Sequence, residues 1–273
     1  MKIVKAVLLF ALVALVLLVL GLNAWGYFTL GTLEPDPNAL RDGGANRVVM
    51  IFGATGRAGG GLVEAAADDP EVERVYVVTR RRIPLLDSLE TTGKVEILLH
   101  QDYTDYRDLA DILPAVNTVL WALGTSSLQV DEATYTRIHV DFPLAFVQAW
   151  LAARREAPMA FHFIAGMGTD GDAAWARDKR FTETETARLA EGNGLRSFSY
   201  RSGYIRPADA QSNGLHYLLE ALMAPGAMAI SSRDLGRAML EISARTEELP
   251  NGTVIDNADS IAYARVYREA MAE

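Results

Sequence analysis

Glycines 53, 56 and 59 stand where a short apolar run, VVMIF, meets an alanine-rich stretch, in GATGRAGGGLVEAAAD. Each glycine has a separate use at this spacing. The first allows a tight exit from a strand, the second lets backbone N–H groups approach an anion, and the third lets the next helix pack close to the strand. The N-terminus of such a helix carries partial positive charge and faces the anion. Gly53, Thr55, Gly56, Arg57 and Gly59 are therefore a candidate cradle for a pyrophosphate. A glycine triplet alone is a weak signal, and a glycine-rich turn without a ligand is the plainer reading. The preceding strand and following helix supply the context that argues for a nucleotide.

The next apolar run ends in VVTRRRIP, about 25 residues further on. A carboxylate at this point would bind the ribose hydroxyls and select NAD. Arg80, Arg81 and Arg82 occupy the place instead. Guanidinium groups match a 2′-phosphate bidentately and stack on adenine, which points to NADP(H). The alternative is a solvated basic loop. After the third strand, HQDYTDY places Asp102 to reach an adenine amino group, with Tyr103 beside it. The fourth strand runs into WALGTS, where Leu123, Gly124 and Thr125 would border the cofactor.

The elements that must carry these residues alternate. Strands are expected at Val48–Phe52, Arg74–Thr79, Val95–Leu99, 118–123, 160–164 and 196–201, and helices at 57–67, 105–113, 133–154 and 175–191. Strands joined by crossover helices pair in parallel, with helices on both faces of the sheet. The fold class is α/β, a doubly wound parallel sheet. After Arg201 the alternation weakens. SSRDLGRAMLEISARTEEL reads as an amphipathic helix capped by Ser231 or Ser232, and GTVIDN as a late strand. Segment 215–230, LHYLLEALMAPGAMAI, is expected to cover a substrate pocket. Its leucine and methionine content suits a small apolar substrate, a protein partner, or plain core packing.

The first segment stands apart. Residues 6–22, AVLLFALVALVLLVLGL, carry no charge, and Trp25, Tyr27 and Phe28 follow. At about 1.5 Å per residue this stretch and its aromatic flank cross a hydrocarbon core of roughly 30 Å. Residues 1–30 are read as a single-pass transmembrane anchor, with a cleaved signal peptide ending near Ala24–Trp25–Gly26 as the rival. Lys2 and Lys5 precede the span, which places the N-terminus in the cytoplasm and the large domain outside. A soluble nicotinamide cofactor argues for the inside, and the side of the membrane stays open. Residues 31–46, rich in Gly, Pro, Asp and Asn, read as a solvated linker, and 47–273 as the nucleotide-binding domain, with a small C-terminal substrate or partner region from about 205.

Composition narrows the rest. The 273 residues suit one ordinary domain with an appendage, and a hydrophobic share of 50% excludes disorder. Net charge is −9 with no basic block, so nucleic acid is not an expected partner. The absence of cysteine excludes disulfides and thiolate chemistry and leaves the redox compartment open. The 4 histidines share no metal-ligand spacing, so no metal is expected.

Taken in order, GATGRAG, TRRR, QDYTD, LWALGTS and FHFIAGMGTD resemble the atypical short-chain dehydrogenase/reductases. The likeness is greatest to the branch of Tat-interacting-protein-type oxidoreductases and NmrA-like NADP-binding proteins. It runs from Arg47 to about Ala264 and is looser after Ile205. The resemblance implies an extended Rossmann domain and NADP(H) binding, with redox chemistry in some members and cofactor sensing in others. Active members use a serine after the fifth strand and a Tyr-x-x-x-Lys pair. Here Ala165 and Gly166 occupy the serine region, and Trp175 stands four residues before Lys179. Lys179 matches the family lysine that binds the nicotinamide ribose. An indole donates one hydrogen bond but loses no proton near neutral pH. By position, Tyr204 and Thr169 are candidates for the missing acid, and Ser202 replaces a usual proline. The implied function is a membrane-tethered NADP(H)-binding oxidoreductase of weak or atypical activity. The alternative is a non-enzymatic NADP(H)-dependent regulator or assembly factor.

Overall fold

The structure is a computed structural model that describes residues 2–154 and 156–272. Met1, Arg155 and Glu273, and the side chains of Lys2 and Ile3, lie outside the described residues, as do the outermost ends of the expected anchor (1–30) and domain (47–273). An apolar helix, α1 (Lys2–Thr29), comes first. A parallel sheet follows, built from β1 (Val48–Phe52), β2 (Arg74–Thr79), β3 (Val95–Leu99), β4 (Thr118–Trp121), β5 (Met159–Ile164) and β6 (Leu195–Arg201). Its order is β3-β2-β1-β4-β5-β6, and β9 (Val254–Asp256) pairs with β6 as the 7th strand. The chain direction across the sheet reverses between β1 and β4, so the strand ends there open into a crevice, the usual ligand position in open α/β sheets. This is the doubly wound Rossmann-type sheet expected from the strand–helix alternation.

Period-two alternation builds both faces. Val49 and Ile51 of β1 pack with Leu62, Val63 and Ala66 of α2 (Gly59–Asp68), and with Leu235, Met239 and Ile242 of α8 (Ser232–Ala244). Val48, Met50 and Phe52 point the other way, to Trp121, Phe146, Trp150 and Phe161. Phe146 and Trp150 lie on α5 (Phe142–Ala153). A strand buried on both faces needs apolar residues at nearly every position, which is why these runs read as continuous rather than alternating.

Several expected elements differ. The helix expected at 105–113 is instead two 3₁₀ turns, Arg107–Leu109 and Leu113–Ala115. Asp105 takes the Arg107 side chain and backbone N–H locally, and Pro114 stands at the head of the second turn, so a continuous helix has no room to propagate. The stretch 133–154 is broken into α4 (Glu132–Thr136), a π-helical segment Arg137–Asp141, and α5. A short helix, α3 (Pro84–Glu90), follows the arginine run, with Pro84 at its first turn. Helix α6 (Ala174–Ala190) precedes β6. Beyond β6, β7 (Tyr204–Arg206) and β8 (Ala229–Ser231) form a small parallel pair, with α7 (Gly214–Met223) between them in sequence, and α9 (Asn257–Ala270) closes the fold.

Segment 31–46 is held along the domain instead of running free. Asp259 accepts the backbone N–H groups of Thr32 and Leu33 at 2.9 Å. Arg41 bridges Glu71 and Glu241 at 2.9 and 3.0 Å, and the buried Asn46 donates to Leu240. Glu241 is fully buried, and Arg41 together with Arg245, at 2.6 Å, compensates its charge.

Candidate functional site

The strand–turn–helix at 48–68 has the geometry its glycines allow. Gly53 has φ +76°, and a Cβ there would fall 2.4 Å from the Ala122 backbone. The Gly56 N–H donates to the Gly53 carbonyl at 2.9 Å and closes the turn. At Gly59 a Cβ would meet the Gly53 carbonyl oxygen at 2.2 Å, so α2 approaches β1 as closely as backbones permit. No side chain caps the first turn of α2. Gly59, Gly60 and Gly61 of that turn are buried, and the helix does not itself pair their N–H groups.

A cleft of about 400 Å3 lies over the carboxyl ends of β1 and β2, lined by Gly53, Thr55, Thr79, Arg80, Arg81, Tyr103 and Leu123. Six of these seven are residues singled out from sequence; Thr79 was missed. Its hydroxyl donates to the Arg81 carbonyl and shapes the loop that carries both arginines. Arg80 and Arg81 are exposed and make no ion pair among the described residues, whereas Arg82 turns away to Asp87 at 2.7 Å and to Glu90. Arg57, also without an ion pair among the described residues, is exposed on the turn. Asp102 lies in a neighbouring depression with His100, Gln101 and Asp105. Its carboxylate accepts the Thr104 hydroxyl at 2.6 Å and the Thr104 N–H at 3.0 Å, which hold it below the usual carboxylate range.

A second group gathers at the ends of β4 and β5. The His139 imidazole, buried in the π-helical segment, brings Nε2 to 3.0 Å from the Thr125 carbonyl and 3.2 Å from the Thr125 nitrogen. The ring packs against Gly124, where an added Cβ would lie 2.8 Å from it. Burial first, and the Lys179 charge second, push His139 down to about 4, so it is neutral near pH 7. Its Nδ1 is buried without a hydrogen-bond partner among the described residues. The Lys179 ammonium donates to the Ala165 carbonyl at the end of β5. Burial pushes this lysine down to about 8, against the opposing pull of Glu183. Glu183 is itself held by Arg201 at 3.0 Å. His139 was not legible as a site residue; a helix broken by a π-segment is the one local signal, since such bulges frequent functional sites.

The remaining candidates are placed as follows. The Trp175 ring packs over Gly168, whose added Cβ would lie 3.4 Å from it, and Gly168 has φ +85°. The Thr169 hydroxyl is committed to the Gly166 carbonyl at 2.7 Å. Tyr204 lies in β7, with its hydroxyl buried and without a hydrogen-bond partner among the described residues. Ser202 is buried, and its carbonyl accepts the Met167 N–H at 2.8 Å, which ties the loop after β5 to the end of β6. The chemistry available here is that of one lysine of lowered basicity and one neutral imidazole, with an indole at the position where the resemblance implied a tyrosine.

No family model matches the sequence, and no curated protein matches it. Solved structures do share its fold. An oxidoreductase of the short-chain dehydrogenase/reductase family from Burkholderia thailandensis is 21% identical, covers 84% of this chain and 98% of its own, and superposes with a TM-score of 0.58. A 3-oxoacyl-(acyl-carrier protein) reductase from Brucella melitensis in complex with NAD is 17% identical, covering 80% and 97%, with a TM-score of 0.59. BdcA in complex with NADPH is 17% identical, covering 80% and 96%, with a TM-score of 0.58. The chain has the fold of the short-chain dehydrogenase/reductases.

Proposed function

We propose that this chain is a membrane-tethered, NADP(H)-binding protein of the atypical short-chain dehydrogenase/reductase type, with weak or atypical redox activity. The observation that carries the reading is the cleft over β1 and β2, where a turn with no room for side chains at Gly53 and Gly59 faces two arginines free of ion pairs among the described residues. These residues fit a dinucleotide. Gly53, Thr55, Gly56 and Gly59 leave backbone N–H groups and the α2 terminus open to a pyrophosphate. Arg80 and Arg81, with Arg57, would hold a 2′-phosphate. Tyr103 and Asp102 border the adenine side, and Leu123, Gly124 and Thr125 the side toward β4. Lys179 would hold the second ribose.

When bound, such a cofactor gives or takes a hydride. The proton that must accompany carbonyl reduction cannot come from Trp175. Lys179 is the group left with a suitable acidity, at about 8, close to where a general acid works best. Tyr204 is the second candidate by position. A non-enzymatic regulator is favoured by a single observation, the indole seated on Gly168 in the tyrosine's place. The tether rests on α1, where an 18-residue stretch within Val4–Thr29 has a mean hydropathy of 2.9 and none of it is buried in the domain. Asn23 and Gly26, near its end, dock on the domain.

Purified full-length protein decides between the two activities. Steady NADPH oxidation with carbonyls or quinones supports the oxidoreductase. Saturable NADPH binding without turnover supports the regulator. If neither NADPH nor NADH binds, both readings fall.

A further inference from the structure

We infer that the outer face of α7 lies on the bilayer surface, so that α1 and α7 together seat the domain flat against the lipid; this rests on the reading of α1 as a membrane span. The argument begins where the apolar span ends. The Asn23 side chain does not face lipid. Its amide donates to the Leu222 carbonyl at 2.8 Å and accepts the Gly226 N–H at 2.6 Å. One turn later Gly26 is buried on the 226–228 segment, where an added Cβ would fall 2.2 Å from the Gly226 carbonyl oxygen. The domain is thus fastened to the last turns of the span with no spacer, and the C-terminal end of α7 sits at the depth of the membrane interface.

From that point α7 presents a row of leucines left exposed by the described residues. Leu215, Leu218 and Leu222 recur at i, i+3 and i+7 and are 60%, 54% and 42% exposed, while Tyr217 stands to one side, its hydroxyl donating to Asp209 at 3.0 Å and its ring under Arg206. Beyond α1, the other exposed large hydrophobics, Leu40, Leu99, Leu128, Phe181 and Val254, come from separate elements, so the concentration on α7 is a local feature. The only acidic residue of α7, Glu220, is turned to Arg206 at 2.6 Å. Trp25, Tyr27 and Phe28, 48%, 71% and 81% exposed, stand on the neighbouring end of α1, where amphipathic rings favour the headgroup level. The α7 segment carries no lysine or arginine and the chain has net charge −9, so the attraction is apolar insertion rather than binding to anionic headgroups.

The chain has no cysteine, so single cysteines report one site each. Full-length Leu218→Cys and Leu215→Cys, each labelled with an environment-sensitive fluorophore, are reconstituted into phosphatidylcholine vesicles, with Leu128→Cys and Leu15→Cys as aqueous and mid-span references. The inference expects α7 labels to emit to the blue of the Leu128 label and to lose most of their emission to lipids bearing a nitroxide near the headgroup. Emission and quenching equal to the Leu128 label, while Leu15 is quenched by deep nitroxides, overturn the inference and leave the anchor standing. Shielding from an aqueous quencher without quenching by nitroxide lipid shows a protein contact, such as a second copy, and also overturns it. If the Leu15 label is not quenched by deep nitroxides, the anchor reading fails, and this inference fails with it.

Discussion

If the arginine loop selects the cofactor, changing Arg80 and Arg81 together to alanine removes a preference for NADPH over NADH, and changing Arg82 does not. The structure separates the three. Arg82 is committed to Asp87 and Glu90, so a phosphate would have to displace two carboxylates to recruit it. Arg80 and Arg81 make no ion pair among the described residues and line the cleft, so binding them breaks no existing pair. A hydrogen bond to a charged group contributes about 1.5–3 kcal/mol, and both side chains are exposed, which favours the lower end. One such contact gives about a tenfold preference, and two give roughly a hundredfold, at about 1.4 kcal/mol per factor of ten. Calorimetric titration of the full-length protein and both variants with NADPH and NADH measures the ratio directly. The double variant should bring it close to one, any share left to Arg57 aside, by weakening NADPH more than NADH, while Arg82→Ala leaves it within about twofold, the scale of a surface pair. Equal affinities in the unmodified protein refute the reasoning, as does an Arg82→Ala loss as large as that of the double variant.

Three further outcomes are expected. Gly59→Ala should lower stability by about 1–3 kcal/mol in thermal unfolding, because its Cβ would meet backbone at 2.2 Å. Gly56→Ala, with nothing nearer than 3.2 Å, should keep the melting temperature and weaken NADPH binding; loss of stability in both would show that the turn serves packing alone. Trp175→Tyr should raise carbonyl reduction modestly, with Ala165 and Gly166 still lacking the hydroxyl, and turnover in either form should fall as pH rises through about 8, where Lys179 loses its proton. Brisk turnover unchanged by Trp175→Tyr and flat across pH 7–9 would place the acid elsewhere. Burial depresses His139 to about 4, so between pH 6.5 and 4 the unfolded chain takes up a proton that the folded chain refuses, and stability falls with pH by roughly 3 kcal/mol from this group. Urea unfolding of His139→Asn should show a shallower acid slope, with the part due to the buried His162 remaining; an unchanged slope would contradict the neutral, buried imidazole.

What could be read from the sequence was what neighbouring residues decide among themselves. The glycine spacing encodes the turn because Gly53 and Gly59 act on atoms within a few residues of themselves and on the next strand. The central strands were legible as apolar runs because both sheet faces are covered. No helix was expected directly after the arginine run, yet Pro84 opens α3, since a proline in the first helical turn forfeits no helical hydrogen bond. Segment 31–46 has a linker's composition, yet Arg41 finds Glu71 and Glu241, partners 30 and 200 residues away, and no local pattern announces them. His139 was equally hidden, because its meaning comes from Thr125 and Lys179 meeting it across two helices and a loop.

The two halves of the candidate site differ in what the fold can afford to lose. The glycine turn is mostly backbone, and its glycines are also packing residues, so altering Gly53 or Gly59 disturbs β1, β4 and α2 together. The opposite half is made of side chains standing on a frame that holds without them. An indole at 175 rests on Gly168 and keeps that loop covered, and Lys179 still anchors to the Ala165 carbonyl. A chain can therefore keep the cradle and the sheet while its proton chemistry changes, and the shared fold does not by itself carry the shared reaction. On the proposed reading, what remains is a lysine whose opposing carboxylate, Glu183, is already occupied by Arg201. Burial then outweighs that carboxylate's pull and brings the ammonium within reach of physiological pH, the condition under which it can take over a proton transfer that tryptophan cannot perform.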